Sequence, residues 1–162
     1  MTVVEVLRYF GLWSAVGVAV FSAFVVAVFR TGLVWTARGE EGLLKQHLPA
    51  SGYLAMGTIP LGIVALQVLA NVTAFGSRAA TVGLLSLYLL NLGHYLVLSA
   101  YDALVIDILV LCVWRPRFLR LPDAIGWDSM RRHALRSLPV GAGARLVLAA
   151  ITTALSHYAF LI

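Results

Sequence analysis

Apolar residues in this chain come in long runs, and polar residues interrupt them rarely. The first run, residues 9–29, carries no charge and closes at Arg30. The second is centred on residues 53–75 and contains Pro60. The third reaches from Ala79 to Trp114, with Asp102 and Asp107 as its charged interruptions. The fourth covers about residues 138–162, with Arg145 near its start. A helix needs about 20 apolar residues to cross a hydrocarbon core of about 30 Å, so each run predicts one membrane-spanning helix. Pro60 predicts a kink, which membrane helices tolerate. The 36 residues of the third run would extend roughly 54 Å as one α-helix. It is therefore expected to tilt, to break, or to carry its two aspartates to the interface.

The connections differ in character. Residues 31–52 hold Arg38, Glu40, Glu41 and Lys45 and predict a short interfacial piece. Gly76-Ser77 reads as a tight turn. Residues 115–137 form the one sizeable polar segment, opening irregularly through Arg115-Pro116-Arg117 and Leu121-Pro122-Asp123. Residues 128–137 then predict a short basic helix leading into the last span. The pattern as a whole predicts an all-α fold, an integral membrane bundle of four transmembrane helices forming a single domain over residues 1–162.

Composition agrees with the pattern. Apolar residues make up 61% of the chain and charged residues 12%, against about 25% charged in a soluble domain. A chain of this size cannot hide so much apolar surface from water, and disorder requires low hydrophobicity. Residues 9–29 exceed the 7–15 residue apolar region of a secretory signal, so this run reads as a retained span. The net charge of +5 comes with no nucleic-acid motif. Ten of the twelve basic residues fall in, or at the edge of, the segments after the first and third runs, with Arg8 and Arg78 opposite. The positive-inside rule then places those two segments in the cytoplasm and both termini outside, in a multi-pass protein of the inner (plasma) membrane. The partners expected are the bilayer, anionic lipid headgroups near the loop arginines, and a second copy or another membrane protein. Cys112 alone offers no disulfide framework and reads as an apolar filler.

Membrane helices pack through small residues and a few polar contacts. In the first run Gly11, Ala15, Ala19, Ala23 and Ala27 recur every four residues, a ridge on which another helix can lie close. It serves either the protein's own bundle or a partner. The fourth run has a mixed stripe of Gly141, Arg145, Ala149, Thr153 and His157. Gln67 and Asn71 stand one turn apart in the second. Tyr88, Asn91, Tyr95, Ser99 and Asp102 share one face of the third, within about 80° of arc at 100° per residue. These stripes are expected to converge in a hydrogen-bonded interior. Asn71-Val72-Thr73 matches a glycosylation acceptor formally, but inside an apolar run it reads as chance.

Ionisable residues within spans are costly and point to function by default. The candidate polar cluster is Asp102, Asp107, Arg145, His133, His94 and Asn91. On an α-helix a spacing of five sets Asp102 and Asp107 about 140° apart, so they do not form a carboxylate pair. Arg145 is the natural partner of one of them. His94 and His157 raise the question of haem, but their depths, about 22 Å and 8 Å from the outer helix ends at 1.5 Å per residue, do not match. No cofactor is expected. No metal is expected either, since no ligand spacing such as H-E-x-x-H occurs.

Residues 102–141 resemble a group of small, functionally unassigned bacterial four-helix membrane proteins. The shared pattern here is Asp102 and Asp107, Pro116-x-Phe118, Leu121-Pro122, His133 and Gly141. Where that group continues Gly-Thr-Glu in the loop, this chain reads Asp123-Ala124-Ile125. The resemblance implies that the third loop and its flanking aspartates form one unit, and it implies no activity. With catalytic residues unknown, the leading expectation is a non-enzymatic accessory or interaction component. One alternative is a proton-coupled transporter using Asp102, Asp107, Arg145 and His94. Another is an intramembrane lipid-modifying enzyme with Asp102, Asp107 and His133 as acid–base groups.

Overall fold

The computed structural model describes residues 2–31, 50–76, 82–119 and 127–161, and side-chain surroundings are described outside 50–53, 55–56 and 127–140. The described chain is helical throughout apart from short connections. Helix α1 spans Val3–Thr31, α2 Ala50–Phe75 and α3 Leu84–Tyr101. A π-helical segment, Asp102–Trp114, continues α3 directly. A 3₁₀ turn at Arg117–Leu119 follows, and α4 runs over Trp127–Phe160. The basic piece expected at 128–137 thus belongs to the same helix as the last apolar run. The interfacial piece expected in residues 31–52 lies almost wholly outside the described residues.

Local chemistry explains the helix ends. Thr2 and Glu5 form a reciprocal capping box: the Thr2 amide donates to Glu5 Oε2 at 2.9 Å and the Glu5 amide donates to Thr2 Oγ1 at 3.3 Å. Arg30 lies in the last turn of α1, where a cation complements the helix dipole. Gly83 caps α3 in an extended conformation. Pro60 lies within α2, and the helix continues on both sides of it.

Helix α1 packs on α2 and α3, and α4 packs on the same two. The helices therefore form a ring in the order α1, α2, α4, α3. Contacts advance together along α1 and α3: Tyr9 clusters with Leu87 and Leu90, Gly17 faces His94 and Leu98, and Ser22 Oγ lies 2.7 Å from Tyr101 Oη. These two helices run parallel. Asn91 meets Thr153 and Tyr95 meets Thr152, so α4 runs antiparallel to α3. The connectivity is up-down-up-down, and Phe160 ends beside the Tyr9 cluster near the start of α1.

The distribution of polarity identifies the solvent. Leucines at 12, 61, 69, 85, 89, 96, 104 and 155 are exposed on four different helices, while Gln67, Asn71, Asn91 and Ser156 are buried. That is the pattern of a protein dissolved in lipid. Three stretches, Val3–Thr31, Gly57–Phe75 and Leu84–Trp114, are long and apolar enough to cross a membrane. Helix α4 is less apolar over its whole length because its sequence includes Asp128, Arg131, Arg132, His133 and Arg136 as well as Arg145, Thr152, Thr153, Ser156 and His157. Its polar residues Thr152, Thr153 and Ser156 are buried in the bundle, while Leu146, Val147, Ile151 and Leu155 face outward. The all-helical membrane bundle of four helices expected from the pattern is the fold observed.

The third run neither breaks nor remains α-helical. Its hydrogen bonding changes register at Asp102 and stays π-type for 13 residues, far beyond the single-turn bulges in which π geometry is common. Ile106 and Leu111 of this segment form a core with Phe21, Val25 and Phe29 of α1.

Helix α1 lies tightly against α3 at Gly17, where an added Cβ would lie 3.1 Å from both His94 Nε2 and Leu98 Cδ2. A Cβ on Gly11 would meet nothing within 4 Å. Gly17→Val is therefore expected to lose about 1–3 kcal/mol through overpacking. Gly11→Ala should be neutral or gain up to about 1 kcal/mol from helix propensity. Thermal unfolding of the two variants in detergent checks this contrast.

Candidate functional site

Each helix contributes to one buried hydrogen-bond network. Helix α2 supplies Gln67 and Asn71 on the same face, one turn apart. Gln67 Nε2 donates to Tyr9 Oη at 2.6 Å and to Asn91 Oδ1 at 3.2 Å. Tyr9 Oη donates to Asn71 Oδ1 at 2.5 Å. Asn71 Nδ2 donates to Asn91 Oδ1 at 2.9 Å and to Ser156 Oγ at 2.8 Å. Asn91 Nδ2 donates to Thr153 Oγ1 at 2.9 Å, and Thr153 Oγ1 passes its own proton to the Ala149 carbonyl at 2.7 Å. One turn further along α3, Tyr95 Oη and Thr152 Oγ1 pair at 2.6 Å.

The stripes expected on the second, third and fourth runs thus meet, through Gln67, Asn71, Asn91, Tyr95 and Thr153. The network is made of amides and hydroxyls and contains no formal charge. Each of these groups is held by neighbouring helices, so its chemistry is that of a lock between them. Both polar ends of Asn71 are occupied and the residue is fully buried, which removes it as a glycosylation acceptor. Tyr9, Thr152 and Ser156 were not among the residues singled out in the sequence. Their signal was available: Thr152 and Ser156 are one turn apart in an apolar helix, and Tyr9 is the first aromatic residue after the capping box.

His94 takes a different environment. Its ring is 1% exposed, lies against Gly17, and has Phe10 at a ring-centroid distance of 6.3 Å. Among the described residues its Nδ1 atom finds no hydrogen-bond partner, and neither does the buried Ser14 Oγ. Phe10, Ser14 and Gly17 occupy successive turns of one α1 face, so both orphaned atoms belong to the α1–α3 contact. Asn91 and His94 are neighbours on α3, but only Asn91 enters the network.

The two aspartates lie further along, in the π segment. There the backbone bonds run from i to i+5, and residues five apart stack as residues four apart do on an α-helix. The expected separation of about 140° assumed α geometry. The wider turn instead directs Asp102 and Asp107 toward one side of the segment. Cys112, five residues on, continues the column. Arg145 does not join it. Its guanidinium lies over Gly141, one turn back on α4, and among the described residues it forms no ion pair with either aspartate. A long cationic side chain that turns toward the helix end is snorkelling. The side chain of His133 lies outside the described residues. Among the described residues no three His, Cys, Asp or Glu side chains gather as a metal-binding group.

Comparison of the chain with protein-family models, with curated proteins and with solved structures finds no match.

The network and the orphaned pair predict opposite responses to truncation. Asn91→Leu removes the acceptor shared by Gln67 and Asn71 and the donor to Thr153, and should cost about 1–3 kcal/mol. Ser14→Ala removes an unpaired polar atom and should be neutral or stabilising by up to about 1 kcal/mol. Unfolding titrations of both variants in mixed micelles measure the difference.

Proposed function

We propose that this protein is a small polytopic membrane protein without catalytic activity that works as an accessory or interaction component. Its partner surface is the small-residue face of α1. One observation carries this reading. Gly11, Ala15, Ala19, Ala23 and Ala27, spaced every four residues along α1, are all exposed, and space is open around Gly11. The bundle packs on other faces of this helix, through Tyr9, Gly17 and Val28. In lipid, helices associate where small residues let backbones approach closely. A five-position ridge left outside the bundle matches that requirement. The interior supports the reading from the other side, since its polar groups are spent on holding the four helices together.

Exposed positions can be enlarged without disturbing the bundle. Ala15→Leu/Ala19→Leu should keep the thermal midpoint of the wild type and lose the stoichiometric membrane partner, or second copy, that the wild type retains in native membranes. The expected loss is tenfold or more in occupancy. A wild type that isolates as a monomer, or a double variant that keeps its association, overturns the reading.

A second reading, a proton-coupled carrier, has one observation in its favour, the shared side of Asp102 and Asp107 on the π segment. It requires proton uptake by vesicles containing the chain, abolished by Asp107→Asn. Arg145, a further member of the group that reading uses, lies over Gly141.

A further inference from the structure

We propose that the end of the bundle where α1 and the π segment finish binds the headgroup of an anionic phospholipid. The site is built by a turn. Arg115 adopts a left-handed backbone, φ 47 and ψ 58, and its amide donates to the Val110 carbonyl at 2.9 Å. The chain therefore leaves the helix axis abruptly. Pro116 follows, buried, and its carbonyl accepts the Leu119 amide at 3.0 Å. Leu119 is 1% exposed, and the 3₁₀ turn that it anchors packs on α1.

This docking brings two arginines from distant parts of the chain to one end of the bundle. Arg30 lies in the last turn of α1, Arg117 lies in the turn, and both are exposed. Arg115 acts through its backbone, setting the direction of the turn. Beside them, Trp114 and Phe118 are 65% and 50% exposed and meet edge to face at 6.4 Å between ring centroids.

The occupant follows from this combination. Guanidinium groups match the oxygens of a phosphate in geometry and charge. Exposed tryptophan and phenylalanine at the end of a spanning helix suit the headgroup level, where one side is apolar and the other wet. A free phosphate ion would use the arginines and leave the rings without a role. An anionic phospholipid uses both, its phosphate on Arg30 and Arg117 and its glycerol and upper acyl chain along Trp114 and Phe118. This inference rests on the chain being a membrane protein and is independent of the α1 ridge.

The test is native mass spectrometry of the full chain in detergent, titrated with phosphatidylglycerol or with phosphatidylcholine of the same acyl chains. Phosphatidylglycerol should be retained preferentially. Each arginine near an anionic lipid is worth about five-fold in binding, so Arg30→Gln/Arg117→Gln should weaken retention about twenty-five-fold, and Trp114→Leu should weaken it with both charges in place. Arg8→Gln, at the opposite end, should change nothing. Equal retention of the two lipids overturns the proposal, and this comparison needs no variant. Retention that survives the double substitution also overturns it, by moving the lipid to other arginines. Displacement of the lipid by inorganic phosphate at equal concentration overturns the assignment to lipid.

Discussion

A buried amide in an apolar surrounding has no water to fall back on, and the arrangement of this protein depends on that fact. Gln67, Asn71 and Asn91 each bring donors and acceptors into the middle of the bundle. An unpaired group there costs about 1–3 kcal/mol, so the helices settle where the amides find one another. Asn91 Oδ1 accepts from two α2 residues, while its Nδ2 donates to α4. Tyr9 ties α1 to the same point. Dispersion between leucines would allow the helices to slide, because one leucine-on-leucine contact resembles the next. The amides do not allow it, since a shift of one turn would leave several of them unpaired. The network thereby fixes the register of all four helices at one level, and the apolar clusters above and below fill in around it.

Much of this arrangement was legible in the chain, and the reason is the contrast between medium and residue. In an apolar run a polar side chain stands out, and its helical phase says which face it serves. Gln67 with Asn71, and Asn91 with Tyr95, were readable on that basis, as was Thr153 on the mixed stripe of the last run. Tyr9, Thr152 and Ser156 were harder to read because a hydroxyl on an apolar helix can also bond to its own backbone, as Thr73 does toward Leu69. The alanine ridge was visible too, but spacing alone does not say whether such a face looks inward or outward. That depends on which other face of α1 offers the tighter fit. Gly17 does so, because it alone accommodates the ring of His94 against the backbone.

The π segment was not legible. Residues 102–114 contain no proline or glycine, and α and π helices draw on the same residue types. What separates them is where each carbonyl finds its amide, and in this chain the π segment packs against Phe21, Val25 and Phe29. The error that followed was specific. On an α-helix Asp102 and Asp107 diverge, whereas the π winding turns them toward one side. Arg145, expected beside one of them, lies over Gly141.

The same change of period has a consequence for the thickness of the bilayer. At an α-helical rise of 1.5 Å per residue, the 31 residues of Leu84–Trp114 would measure about 46 Å, against a hydrocarbon layer of about 30 Å. A π turn holds more residues for each step along the axis, so the lower part of this rod is shorter and wider than its residue count suggests. Excess length in a spanning helix is ordinarily absorbed by tilt or by stretching the surrounding lipid. Here part of it is absorbed in the winding of the backbone itself. The chain can therefore carry a long apolar run in a shorter axial span than an unbroken α-helix of the same residues would need.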